Sequence, residues 1–461
     1  MPLESRVKAL VWGAVLLGSV AVAPLAQAQD FSRALANAYT VNPDLNAGRA
    51  SLRATDEGVP AARAGMLPKV SASADYGRTH SEFRTAGRNG QAELLPRGAG
   101  VTVTQNLLDG YRSANSVRAA ESGVLGARET LRNTEANTLL DAVTAYMNVV
   151  RDTAIYNLRK NNVAVLGEQV RQTDARFSVG EVTRTDVAQT QSRYAGAKAD
   201  MALAQSNLRG SVARFKQIIG LEPKQLSPVQ PLTGARLPKS QGEAVNRALQ
   251  DHPLVAAALH GVDVQALQVK IVTGELLPSL SLSGSLSQRF DTQVGTHKVV
   301  SATVAGTLNV PIYDGGSAHA RTRAAKETLG ERRLQVDSAR DRVVANAISA
   351  WALMEATAFQ IEGTNAQVKA AEIALNGVRE EAKVGQRTTL DVLNAEQELL
   401  NARVSQVSAQ RDRVVASYAL LSATGSLSAS RLGLKVAAYR PEIHYEEVKN
   451  KWFGLTTPSG E

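Results

Sequence analysis

The stretch Ser279-Leu280-Ser281-Leu282-Ser283-Gly284-Ser285-Leu286-Ser287 decides the fold. Serine holds every odd position, and Leu280, Leu282, Gly284, Leu286 and then Phe290 hold even ones. A period of two marks a β-strand whose two faces differ. After a short polar loop, Val300, Ala302, Val304, Gly306, Leu308 and Val310 alternate with Ser301, Thr303, Ala305, Thr307 and Asn309. Earlier in the chain the pattern appears at Val70, Ala72, Ala74 and Tyr76, and again at Val101, Val103 and Leu107. Strands are predicted over 69–81, 99–108, 279–290 and 298–310. One face is aliphatic and the other is small and polar. A soluble sheet would want large apolar side chains for its core, whereas a transmembrane β-barrel wants lipid outside and water inside. Four strands cannot close a barrel, since the smallest has about eight. Open edges in lipid are not tolerated. Three chains give twelve strands. The expected fold is a mixed α/β membrane protein in which several chains, each giving four strands, share one β-barrel.

The chain repeats itself. Asn42-Pro43 recurs as His252-Pro253 and Leu67-Pro68 as Leu277-Pro278, both offset by 210. Asp109-Gly110 recurs as Asp314-Gly315, Val179-Gly180 as Val384-Gly385, Asp186-Val187 as Asp391-Val392, and Gly220 as Gly425, all offset by 205. Tyr146 is answered by Trp351 at the same offset. The second copy is therefore five residues shorter between its Leu-Pro and its Asp-Gly, which places a surface loop there. The expected organisation is repeat one over 29–220, a proline-rich connector over 221–240, repeat two over 241–425 and a tail over 426–461.

No proline occurs between Pro96 and Pro223 or between Pro311 and Pro441, which leaves room for very long helices. Helical hairpins are predicted over 113–219 and 317–424, after shorter helices at Asp44–Gly65 and Leu254–Leu276. Pro60 should kink or break the first of these. Each long outgoing helix reaches roughly 100 Å at 1.5 Å per residue. Leu140, Val143, Met147, Val150 and Ala154 form one seam, and Leu139, Ala142, Tyr146 and Val149 form its neighbour. Two adjacent seams fit a helix gripped on both sides, as in a ring of helices. The return helix repeats by sevens at Leu393, Leu400, Val407, Val414 and Leu421.

Residues 1–28 read as a secretory signal peptide: Arg6 and Lys8, an apolar run from Leu10 to Ala23, and an Ala26-Gln27-Ala28 cleavage site. The net charge of +9 is interspersed, with no polybasic run, so the pattern is that of solvated helix faces and no nucleic-acid partner is expected. Cysteine is absent, which removes disulfides, thiolate metal sites and a lipid-modified N-terminal cysteine. No G-x-S-x-G, H-E-x-x-H, Walker or EF-hand motif occurs. The six histidines (80, 252, 260, 297, 319, 444) have no ligand spacing. Neither enzyme activity nor a cofactor nor a metal is expected.

The two hairpin turns, Phe177-Ser178-Val179-Gly180-Glu181-Val182-Thr183-Arg184-Thr185-Asp186-Val187 and Lys383-Val384-Gly385-Gln386-Arg387-Thr388-Thr389-Leu390-Asp391-Val392-Leu393-Asn394-Ala395-Glu396, carry a resemblance. With the leader, the duplication and the paired strands, the chain resembles the TolC-like outer membrane efflux family over roughly residues 30 to 430. The missing cysteine resembles its non-lipidated, type I secretion branch. The resemblance implies a homotrimer in outer membrane lipid of a Gram-negative bacterium, whose trimeric 12-stranded β-barrel, four strands per chain, is continued by a long α-helical barrel as a tunnel through the periplasm. It implies a passive exit duct for type I secretion or multidrug efflux, gated at its periplasmic end. The implied partners are a periplasmic adaptor and an inner-membrane ABC or proton-driven transporter. The alternative is a periplasmic coiled-coil adaptor or structural protein of an export complex, which would carry one helical hairpin and soluble β modules.

Within that resemblance, Thr185, Asp186 and Arg387 match positions whose polar links hold the family's entrance closed. Ala382 stands where the family has a tyrosine. Asp391 matches one of two acidic rings, and Asn394 occupies the other, so a trimer presents three carboxylates there in place of six. Gly180 and Gly385 suit helix stops, and with Glu181 and Gln386 they lie where the family's adaptors dock. Asp186 and Asp391 also suit the first turn of a helix electrostatically.

Overall fold

A computed structural model describes residues 30–85, 88–234 and 237–458. The signal peptide expected over 1–28 lies outside the described residues. Each repeat begins with two helices joined at the x-Pro pair. In the first, α1 (Phe31–Val41) leads into α2 (Pro43–Asp56) and α3 (Gly58–Arg63). In the second, the corresponding helices are numbered α6 (Gln241–Asp251) and α7 (Pro253–Thr273). The residue before each proline caps the helix that follows. Asn42 Oδ1 accepts from the Asp44 and Leu45 amides at 3.0 and 3.1 Å, and His252 Nδ1 accepts from the Leu254 amide at 3.2 Å. Pro sits at the first helical position, where no N–H is needed. The helix predicted over 44–65 breaks at Glu57, not at Pro60 itself. A proline ring crowds the carbonyl four residues before it, here that of Asp56, so α2 ends there. The periodicity reading did not mark α1 and α6.

The strands follow. β1 (Lys69–Tyr76), β2 (Thr79–Thr85), β3 (Arg88–Leu94) and β4 (Arg97–Asp109) belong to repeat one, and β5 (Ser279–Gln293) and β6 (Thr296–Asn309) to repeat two. The main sheet is antiparallel in the order β1-β4-β5-β6. The strand expected over 69–81 stops at Tyr76, because a separate hairpin, β2–β3, begins at Thr79. This hairpin occupies the longer connection of copy one. Its polar sequence hid it from a reading keyed to aliphatic alternation.

The register sorts the two faces. Val70, Val103, Gly284 and Val304 share one row, as do Ala72, Val101, Leu286 and Ala302. The rows between them are polar: Ser71, Thr102, Ser285 and Thr303 line up across all four strands. On the polar face Arg289 reaches over Gly98 to Asp75 at 2.7 Å. A Cβ on residue 98 would stand 2.9 Å from the Gln288 carbonyl and 3.1 Å from the Arg289 side chain. The aliphatic face ends in a row of Tyr76, Arg97, Phe290 and Lys298, with the Arg97 guanidinium 5.3 Å from the Phe290 ring centre. Such a border of aromatic and basic groups marks the edge of a lipid-facing band. Among the described residues, the outer edges of β1 and β6 are unpaired. Val304 is 79% exposed, so among the described residues nothing covers the aliphatic face there.

The Asp-Gly landmarks are the corners where strand becomes helix. Asp109 Oδ2 accepts from the Ser113 amide at 2.8 Å, and Asp314 Oδ2 accepts from the Ala318 amide at 2.6 Å. From these caps run α4 (Arg112–Ser178) and α8 (Ser317–Lys383), each of 67 residues. The return helices are α5 (Arg184–Ile219) and α9 (Thr389–Ala423). The main core lies midway along α4. There Leu139, Ala142, Tyr146 and Val149 are buried, and so are Val143 and Met147 of the second seam. α1, α2, α5, α9 and connector residues Leu226 and Leu232 supply the opposite surfaces. The Tyr146 hydroxyl donates to the Ser227 carbonyl at 2.9 Å, and burial pushes its pKa to about 12. The tail carries two short helices, α10 (Ala429–Leu432) and α11 (Pro441–Val448).

Candidate functional site

The α4–α5 and α8–α9 turns share one construction. α4 stops in a Schellman arrangement: the Gly180 amide donates to the Phe177 carbonyl at 3.0 Å, and the Glu181 amide to the Arg176 carbonyl at 2.9 Å. In α8 the Gly385 amide reaches Ala382 O at 3.1 Å, and the Gln386 amide reaches Glu381 O at 2.9 Å. Gly180 and Gly385 both sit at φ +81°, with open space around them, so backbone conformation and not crowding selects glycine.

Three residues on, each return helix starts in a capping box. Thr183 Oγ1 accepts from the Asp186 amide at 3.2 Å, while Asp186 Oδ2 accepts from the Thr183 amide at 2.9 Å and its hydroxyl at 2.7 Å. Thr388 and Asp391 repeat this at 3.2, 2.9 and 2.8 Å. The Thr-x-x-Asp spacing is the sequence signal for such a box. The sequence reading assigned the acids to the helix dipole and overlooked Thr183 and Thr388. Hydrogen bonds from the Thr183 hydroxyl and amide hold the Asp186 carboxyl below the usual carboxylate range, and bonds from the Thr388 amide and hydroxyl do the same for Asp391.

Both boxes consume only Oδ2 of their aspartates. Arg387 uses its Nε, which donates to Glu381 Oε2 at 2.7 Å and leaves its Nη groups outside that bond. The Glu381 carboxylate raises the guanidinium pKa further. Asp186 and Arg387 are thus not paired within one chain. Thr185, at the second position of α5, is exposed. Glu181 bonds Arg176 Nε at 3.1 Å across its own turn.

Asn394 accepts from Arg193 Nη2 at 2.8 Å, which ties α5 to α9 and places both tips at one end of the molecule. Just above, Leu393 is buried against Leu166 and Ala197 of the other hairpin. Sequence reasoning missed Arg193 and Glu381, because neither belongs to the turn motif. Val179 and Val384 are about 70% exposed at the tips. Among the described residues, no group of three or more His, Asp or Glu is placed to hold a metal ion.

Comparison with known proteins agrees with this architecture. The family model described as "Outer membrane efflux protein" matches residues 32–221 and 244–426, once per repeat. The chain is 41% identical over 459 residues to "Outer membrane efflux protein BepC" of Brucella suis biovar 1, covering 98% of each chain. It is 26% identical over 410 residues to "Outer membrane protein TolC" of Vibrio cholerae, covering 86% of this chain and 92% of the relative. The Campylobacter jejuni CmeC outer membrane channel superposes with a TM-score of 0.79 at 17% identity, covering 91% of this chain and 89% of that one. The fold is that of the TolC-like trimeric channels, in which three open sheets close one 12-stranded barrel above a helical tunnel. Family members are channel proteins of efflux and type I secretion, located in the outer membrane. By its matched length and its full-length likeness, the chain belongs to the outer membrane efflux protein family.

Proposed function

We propose that the trimer is a passive exit duct whose periplasmic entrance is held shut at rest by Asp186–Arg387 pairs between neighbouring protomers. The observation that carries this reading is complementary leftover valence at the tips. The capping box leaves Asp186 Oδ1 open, and the bond to Glu381 leaves the Arg387 Nη groups open. The Glu381 bond steadies a long side chain, which lowers the entropy lost when a second carboxylate arrives. Thr185 lies beside Asp186 as a neutral acceptor for the same guanidinium. Asp391 forms a single ring of three carboxylates near the entrance, since Asn394 is neutral and engaged by Arg193. A weaker attraction for cations follows there.

An adaptor docks on the tips, at Val179, Gly180 and Glu181 of one turn and Val384, Gly385 and Gln386 of the other. Exposed valines over glycine turns offer an apolar knob with open space around it. An inner-membrane ABC or proton-driven transporter supplies the energy through that adaptor. The 41% full-length likeness to a relative named for efflux supports efflux as the first cargo class. Replacing Arg387 by Ser removes the proposed links while leaving both caps intact. Single-channel conductance in a planar bilayer is expected to rise severalfold. Unchanged conductance would sink the gate and leave the family assignment standing.

A further inference from the structure

We propose that the loop after α11, residues 449–456, is an interfacial anchor that seats the base of the barrel on the phospholipid leaflet facing the periplasm. Trp452, Phe453 and Leu455 are 82%, 84% and 102% exposed. Their apolar surface meets little but itself, with the Trp452 and Phe453 rings 6.2 Å apart. Three large apolar side chains displayed side by side on a short loop are costly in water and favourable in a lipid interface.

Position selects lipid as the occupant. The loop and the segment before β1 enclose an open groove of about 1700 Å³, walled on the other side by Met66, Leu67 and Val70. Val70 begins the aliphatic row that continues through Val103, Gly284 and Val304. The loop therefore prolongs the lipid-facing band at its helix-side rim. The opposite rim carries Tyr76, Arg97, Phe290 and Lys298. A band needs a border at both ends, and Trp is the residue most suited to one. Lys449 and Lys451 line the same groove, and Lys449 pairs with Glu446 and lies 5.7 Å from the Tyr445 ring centre, so the loop carries basic groups beside its apolar ones.

The loop is held and not merely trailing. Arg63 donates to the Lys449 carbonyl at 3.1 Å and also bonds Asn450 Oδ1. His444 of α11 lies 2.9 Å from the buried Asp56 carboxylate on α2. Lys451 Nζ bonds the Thr456 carbonyl and draws the loop closed behind Trp452 and Phe453.

Tryptophan emission tests the proposal. Outside the leader, which carries Trp12, the sequence holds Trp351 and Trp452. The full chain with Trp351→Phe is purified as a trimer and reconstituted into phosphatidylethanolamine–phosphatidylglycerol vesicles with brominated acyl chains. Emission from Trp452 is expected to fall relative to unbrominated vesicles and to resist aqueous acrylamide. The reciprocal Trp452→Phe trimer, which reports Trp351 in the helical wall, is expected to be insensitive to bromine. Adding Phe453→Ser and Leu455→Ser to the first variant is expected to reduce the bromine effect. No loss of Trp452 emission on brominated lipid overturns the anchor. Acrylamide quenching would then place the loop in water, and protection from both quenchers would place it against a neighbouring protomer.

Discussion

Asp186 carries two duties on two oxygens. Its Oδ2 closes the capping box with Thr183, and its Oδ1 is the proposed partner of a neighbour's Arg387. The cap makes the acid stronger, because its bonds favour the charged form. The sign then follows. A carboxyl whose folded pKa lies below its unfolded value contributes stability above the ordinary value of about 3.9 and loses it as pH falls through the lowered one. Asp391 behaves alike through Thr388. Conductance is therefore expected to stay at its resting level down to about pH 5 and to rise only below about pH 4. Bilayer recordings across that range check it, and opening between about pH 5 and 6 would contradict the assignment to these aspartates. At this scale the sequence was half legible. Glycine at a helix end and acid at a helix start are local signals. The partners Glu381 and Arg193 were hidden, because a turn brings Glu381 under Arg387 and helix packing brings Arg193 to Asn394.

The strands were legible because one period covers both neighbours and solvent. Serine on one face and leucine or valine on the other fix the register, since a slip by one residue would turn every side chain to the wrong face. This gives a paired prediction on β6. Val304→Lys puts a charge on the aliphatic face, where it costs about 2–4 kcal/mol at mid-membrane depth. Thr303→Lys puts the same charge on the polar face and is expected to cost far less. The yield of assembled trimer in outer membrane fractions separates the two, and equal losses would refute the facing. The β2–β3 hairpin was not legible, because its side chains alternate without an aliphatic face. The break before α3 was displaced by three residues, since proline acts on the carbonyl of the turn behind it.

The whole molecule is one part of a tube. Its largest core lies mid-length, around Tyr146, while the sheet has two open edges and an uncovered aliphatic face. Such a chain completes its burial only with two copies of itself and with lipid. An unheated sample is expected to migrate in detergent electrophoresis at about three times the mass of a heated one. A monomer in both lanes would contradict the closed barrel. The duplication was readable from paired landmarks, and the structure gives those landmarks their reasons: caps at Asn42 and His252, corners at Asp109 and Asp314, stops at Gly180 and Gly385.

The self-contained tips have one more consequence. Each hairpin end satisfies its own backbone termini, through glycine on one side and a Thr–Asp box on the other. Nothing in that local wiring depends on a neighbouring chain. When the proposed links between protomers let go, the hairpins have no reason to melt. Under the proposed gate they can part as finished levers, with both caps and both helix stops intact. A mouth built this way can cycle many times without exposing a strand edge or a frayed helix to the proteases around it.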